Sequence, residues 1–281
     1  MISLLTNTTS LDAQRNLNAT QDSLSSSIEK LSSGMRINSA SDDAAGLGIS
    51  QSMKADISSL GQASENANDG ISMSQVAEGA MNSMQGIVSR MRELAVQSAN
   101  QTLDSTDRSY IQTEYTQLSS EINRISATTS FSGQNLLDGS ASTGLTFQVG
   151  INNTANDRIA MSITKLTTST LGTASTGSMA SASLSTATAA QNAIAVFDKA
   201  IQQLSTARAK IGAVQNRLQV TISNLSTTTQ NLSSAESSIT DTDIASETSN
   251  MTQQQVLQQA GVSVLAQANQ LPQAALKLLQ G

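Results

Sequence analysis

The chain of 281 residues contains no cysteine, no histidine, no tryptophan and a single proline, Pro272. Each absence removes a class of function. Without histidine, the commonest general acid–base side chain and the commonest metal ligand are missing. Without cysteine there is no thiolate nucleophile and no disulfide, and any redox compartment is compatible with the chain. Aromatic residues make up only 2% of it, two Tyr and three Phe, whereas a thick core relies on rings for much of its buried area. The formal net charge is −6, and no clustered basic face is present, which argues against nucleic acid as a partner. No window approaches the roughly 20 apolar residues that cross a bilayer, so no membrane partner is expected. Residues Met1 to Asn18 lack the basic start and continuous apolar run of a signal peptide. There is no Gly-rich phosphate loop, no zinc-ligand spacing and no carboxylate pair with a visible partner, so no catalytic residue, cofactor or metal is expected.

What remains is helix-packing material: Ala, Leu, Ile, Val and ten Met. With one proline, almost nothing interrupts a helix. Near the N-terminus Leu17, Leu24 and Leu31 are seven apart, and Ile28 and Met35 follow the last two by four. This is the alternating spacing of a coiled-coil seam. It breaks at Asn38–Gly46, where Asp42 and Asp43 suit the start of another helix. A second helix is expected from about Ala44 to Asn100, with Met73, Met81, Met84 and Met91 as core filler. A third, about Asp104 to Thr128, has Asp104 as its cap.

From Phe131 to about Thr168 the period becomes two. Leu145, Phe147, Val149 and Ile151 alternate with polar residues, as do Ile159, Met161 and Ile163, and turn formers lie between the two runs. One β-hairpin with one apolar face is expected. Residues 167–188 are mostly Ser, Thr, Ala and Gly, which reads as a surface loop or flexible connection. The cleanest heptads follow, from Ile194 through Phe197, Ile201, Leu204, Arg208, Ile211, Gln215, Leu218, Ile222, Leu225 and Thr229 to Leu232. Arg208 and Gln215 are polar seam residues of the kind that set register. After a break at Thr240–Asp243, Leu257, Val264, Leu271 and Leu278 are again seven apart, and Pro272 is expected to disturb that helix locally.

The expected fold is therefore mainly α: a long helical rod with coiled-coil terminal segments and a small β-hairpin region. Two domains are expected. Residues 1–43 and 240–281 form an inner coiled-coil domain, and residues 44–239 form a rod domain. Two terminal helices cannot bury both stripes alone, so Leu4, Leu5, Leu11, Leu257, Leu265 and Leu279 should stay partly wet until copies pack together. Leu17, Leu24, Ile28, Leu31, Leu257, Val264, Leu265, Leu271 and Leu278 are the candidate assembly residues.

Four motifs carry a resemblance. Ser32-Ser33-Gly34-Met35-Arg36-Ile37-Asn38-Ser39-Ala40, continuing through Ser41-Asp42-Asp43-Ala44-Ala45-Gly46-Leu47, resembles the N-terminal signature of bacterial flagellins. Arg92–Asn100, Gly212–Leu218 and Gln258–Gln270 are similar to three further signatures in the same order. The resemblance covers about residues 1–165 and 190–281. It implies a filament subunit whose terminal segments pair as an inner coiled coil lining a channel, and in which the variable outer portion is almost missing. It also implies unfolded export by the flagellar type III apparatus without a cleaved signal, an extracellular flagellar location, and motility as the role. The implied partners are further copies of the chain, an export chaperone, cap proteins and a host innate immune receptor. Arg90, Leu94 and Glu114 match the receptor-contact residues. Leu276–Leu279 resembles a leucine-rich end read by a cytosolic sensor, although the final Gln280-Gly281 departs from that pattern. Two other readings are a hook–filament junction protein of the same assembly and a soluble coiled-coil interaction module. A metalloprotease is excluded, because its His-Glu-x-x-His motif needs histidine.

Overall fold

A computed structural model describes residues 7–173 and 177–280, with side chains described as far as residue 270. Five α-helices carry the chain: α1 (Thr8–Ser33), α2 (Ala44–Ser98), α3 (Ser105–Thr128), α4 (Ala187–Thr240) and α5 (Ile244–Gln280). Between α3 and α4 lie two antiparallel pairs of strands, β1 (Ser130–Phe131) with β2 (Gln134–Asn135), and β3 (Leu145–Gln148) with β4 (Arg158–Met161). The fold is mainly α with a small β region, as expected. The helix ends follow local chemistry. Asn7 caps α1, its side chain accepting from the Ser10 amide, and Gly34 ends the helix in the left-handed conformation. Asp104 caps α3 by accepting from the Asp107 amide.

The chain divides into two compact units, residues 58–229 and the combination of 1–57 with 230–281. The larger unit holds nearly all the buried apolar side chains. Met81, Met84 and Met91 of α2 are fully enclosed, as are Phe197 and Leu204 of α4 and Ile122 of α3. Every one of the twelve seam positions from Ile194 to Leu232 is buried or half-buried. The hairpin pairs Leu145 with Met161 and Phe147 with Ile159, so the apolar face predicted from alternation turns inward. Gly70 of α2 makes room for it: a Cβ there would lie 3.1–3.2 Å from Leu218 and the Phe147 ring. The first small hairpin was not legible from alternation. Its signal is the two-residue turn Ser132-Gly133, both with positive φ.

Residues 167–188 correct the sequence reading. Among the described residues of this stretch, Leu171, Met179 and Leu184 are buried in the main core and not on a surface loop. No helical or strand period betrays them, because other elements supply the partners for their backbone. Asn123 accepts from the Thr168 amide at 3.1 Å, Gln203 from the Gly172 amide at 2.8 Å, and Gln112 from the Leu184 amide at 2.6 Å. Gly172 sits at φ +80°, where a Cβ would strike Val196. Tyr115 closes the same region by donating to the Met179 carbonyl, and burial pushes its phenol pKa up to about 12.

Two outcomes follow. Leu184→Ala should destabilise the larger unit by about 2–5 kcal/mol, as for any enclosed leucine; a loss below about 0.5 kcal/mol in denaturant unfolding would restore the loop reading. The raised Tyr115 pKa means that the folded chain holds this proton more tightly than the unfolded one. That contribution is complete below pH ~10 and is lost towards pH ~12, at most about 2–3 kcal/mol. Tyr115→Phe should flatten alkaline unfolding curves over that window.

Candidate assembly surface on the terminal helices

The smaller unit is built around two breaks in the helices. At the first, the Asp42 carboxylate accepts from the Ser39 amide at 2.8 Å and the Asn38 amide at 3.1 Å. Those bonds, Ser39 first, hold its pKa below the ordinary carboxylate value. Asp43 caps α2, accepting from the Gly46 and Ala45 amides at 2.9 and 3.0 Å. A Cβ on Gly46 would collide with Asp43 and Ile37, which fixes glycine at that place. At the second break Asp243 caps α5 in the same way, accepting from the Ala245 amide at 3.0 Å. The expectation of a helix start is met by Asp43, while Asp42 folds the link before it.

The breaks are strapped together. The Arg36 amide donates to the Thr240 carbonyl at 2.6 Å, its guanidinium to the Ile239 carbonyl at 2.6 Å, and the Thr242 amide to the Gly34 carbonyl at 3.0 Å. Arg36 thereby satisfies carbonyls that the end of α4 would otherwise leave orphaned.

From this strap α1 and α5 run antiparallel. Ser10 donates to Asn269 at 2.7 Å, and Leu17 lies against Gly261. On α1 the inward positions are Ser10, Ala13, Leu17, Thr20, Leu24, Ser27 and Leu31. On α5 they are Met251, Gln254, Gln258, Gly261, Leu265 and Ala268. Both sets keep the alternating 3 and 4 spacing of a coiled-coil seam.

The predicted stripes therefore separate into two groups. Leu17, Leu24, Leu31 and Leu265 line the seam, half-buried. Ile28, Leu257 and Val264 do not: they are 49%, 46% and 55% exposed, which corrects the seam reading of Ile28, while Leu257 is wet, the state expected of it in a single chain. Small residues at Gly261 and Ala268 take seam positions of α5, and a Cβ at Gly261 would already lie 3.2 Å from Leu17; Leu257 and Val264 of the seven-residue repeat face out. Leu11, Ile244, Val256 and Val262 add to that exposed apolar surface. Only Ile37 and Ala268 are buried apolar residues among the described ones of this unit. Leu4, Leu5 and the side chains of Leu271, Leu278 and Leu279 lie outside the described residues.

In the larger unit Arg90 and Glu114 stand side by side at the surface, bonded at 2.9 Å, with Glu93 at 3.2 Å on the other arm of the guanidinium. These hydrogen bonds, Glu114 first, raise the Arg90 pKa further. Leu94 is enclosed in the core, 1% exposed. It cannot touch a partner directly, which corrects its place beside the other two. Arg208 and Gln215 do form a polar layer in the seam: Arg208 donates to Gln85 at 2.8 Å, and both reach Glu78. Among the described residues no helix is long and apolar enough to cross a membrane, and no cluster of acidic residues could hold a metal ion.

A chain with paired terminal helices, an unfilled apolar face on that pair and a separate well-packed unit has the layout of a structural, self-associating protein. Its sequence matches the bacterial flagellin N-terminal helical region over residues 4–142 and the bacterial flagellin C-terminal helical region over residues 194–279. It is 44% identical to a flagellin of Halalkalibacterium halodurans, with 98% of both chains covered. It is 40% identical to the flagellar filament 33 kDa core protein of Treponema phagedenis, again over 98% of each. A solved flagellar hook-associated protein from Vibrio parahaemolyticus shares the fold at a TM-score of 0.60 and 16% identity, covering 71% of this chain and 100% of that one. The chain belongs to the bacterial flagellins, and is a structural component of the flagellar filament that associates with further copies of itself.

Proposed function

We propose that copies join through the exposed stripe of α1 and α5, and that the resulting filament serves motility outside the cell. The observation that carries this is the imbalance in the smaller unit: Leu11, Ile28, Ile244, Val256, Leu257, Val262 and Val264 are all exposed, while its buried apolar residues are Ile37 and Ala268. Leu257 and Val264, seven residues apart, share one flank of α5 and leave an apolar strip there for a partner to cover, and the partner present at the highest local concentration in a filament is the same chain. In this reading 1–43 with 240–281 is the inner coiled-coil domain and 44–239 the rod domain. The reading as filament subunit rests on 40–44% identity along nearly the whole chain, whereas the hook-associated likeness is one of fold alone. Delivery in the unfolded state by the flagellar type III apparatus, with an export chaperone and cap proteins as partners, completes the reading. A chain with no cysteine and one proline unfolds and refolds without disulfide exchange and with a single X–Pro bond. A host innate receptor is the further partner, with the exposed Arg90–Glu114 pair as its contact.

The test is assembly. Each aliphatic side chain buried between copies contributes about 1.5–3 kcal/mol, so Leu257→Ser with Val264→Ser should raise the concentration needed for seeded polymerisation at least tenfold. Circular dichroism of the larger unit should be unchanged. Filaments of ordinary length at the ordinary concentration, seen by electron microscopy, would reject the stripe. Arg90→Ala should lower innate-receptor signalling by purified protein while moving stability by no more than about 0.5 kcal/mol; undiminished signalling would reject that contact.

A further inference from the structure

The outer ends of α1 and α5 meet at one unusual point. In an α-helix the carbonyl of residue 268 accepts from the amide of residue 272. Residue 272 is the only proline in the chain and has no amide hydrogen. The Ala268 carbonyl is thus left open, on a residue that is itself buried. The side chain of Asn7 fills the gap, its Nδ2 donating to that carbonyl at 2.8 Å. The other end of the same amide group caps α1: Oδ1 accepts from the Ser10 amide at 3.1 Å and from the Thr9 hydroxyl at 2.7 Å. Ser10 then donates to Asn269 at 2.7 Å. One asparagine therefore closes an orphan donor at the start of α1 and an orphan acceptor in α5.

We propose that Asn7 and Pro272 are a register clasp, a pair that selects one axial alignment of α1 on α5. The seam alone selects weakly. Leu17, Leu24 and Leu31 repeat every seven residues, and four of the six facing positions of α5, Gln254, Gln258, Gly261 and Ala268, are small or polar. A slip of one heptad at the outer ends exchanges one leucine for another with little change in apolar burial. The strap at Gly34–Arg36 anchors the inner end, but it lies 26 residues of α1 away, about 39 Å at the helical rise. Proline occurs at one place only, so its vacant carbonyl marks one alignment and no other. The residue types are specific as well. Aspartate caps a helix as well as asparagine does but has no donor for Ala268. Glutamine has the donor on a stem too long for the cap.

This deepens the assembly reading, since the alignment of α1 on α5 sets the shape of the stripe offered to the next copy. Its test is made inside one chain. A Cβ at position 261 would lie 3.9 Å from the Leu17 Cβ, within disulfide range. The chain has no cysteine of its own, so Leu17→Cys with Gly261→Cys reports the native alignment, and Leu24→Cys with Gly261→Cys reports a one-heptad slip. Full-length chains are oxidised under polymerising conditions, and intramolecular disulfides are measured by non-reducing gel and peptide mass. The native pair should form its disulfide and the slipped pair should not. Adding Asn7→Asp should slow the native disulfide about fivefold, the equivalent of one lost hydrogen bond, and let the slipped one appear. Pro272→Ala, which supplies an amide for Ala268 from within the helix, should act in the same direction. A purely local capping role for Asn7 predicts no loss with aspartate, so an unchanged rate in Asn7→Asp overturns the clasp even if filaments form. A normal clasp effect in chains that never form filaments would instead count against the assembly reading alone.

Discussion

The packing of the α4 seam and the methionines of α2 into one apolar cluster is the interaction on which the larger unit depends. With five aromatic residues in the chain, no thick core is available. Met81, Met84 and Met91 fill the space beside Phe197 and Leu204 instead, because an unbranched thioether adapts to gaps that rings would otherwise occupy. The polar layer of Arg208, Gln215, Glu78 and Gln85 interrupts that cluster at one level. An Arg and a Gln at seam positions lower stability but match only one alignment of the helices.

The smaller unit has no comparable core, and its function follows from that deficit. Its helices touch through half-buried leucines, Leu17, Leu24, Leu31 and Leu265, interspersed with alanine, serine, glycine and glutamine, which bury little apolar area. Leu257, Val262 and Val264 are left exposed outside that seam. A pair with so few buried apolar residues gains little from folding alone. Hydrogen bonds then do the aligning that apolar contact does not. The Arg36 strap holds the inner end, and the Asn7 amide meets the vacant carbonyl at the outer end.

Segment 167–188 shows how composition misleads. A run rich in Ser, Thr and Ala reads as solvated, yet Leu171, Met179 and Leu184 are enclosed. The amides of Thr168, Gly172 and Leu184 donate to Asn123, Gln203 and Gln112 of α3 and α4, and those of Leu171 and Met179 to the Thr167 and Leu171 carbonyls. Burial of an irregular segment requires that every amide find a partner. Here some partners lie within the segment and three come from elements distant in sequence, beyond the reach of any local pattern.

Periodicity was enough to determine the helices, the inward hairpin and the seam of α4, because spacing of 3 and 4 or of 2 commits one face of an element wherever it lies. The Asp104 and Asp43 caps were legible for the same reason: each acts within three residues of itself. The family signatures were also legible, as runs of adjacent residues. Only the tertiary structure decided which stripe of α5 faces α1, since Leu257 with Val264 and Gly261 with Ala268 are both seven-residue repeats. Close approach of two backbones selects the small pair, and approach is a property of two helices together. The burial of Leu94 and the partnership of Asn7 with Ala268 have the same origin. Each depends on what a second element places opposite, and a sequence read along one strand of chain does not contain that distance.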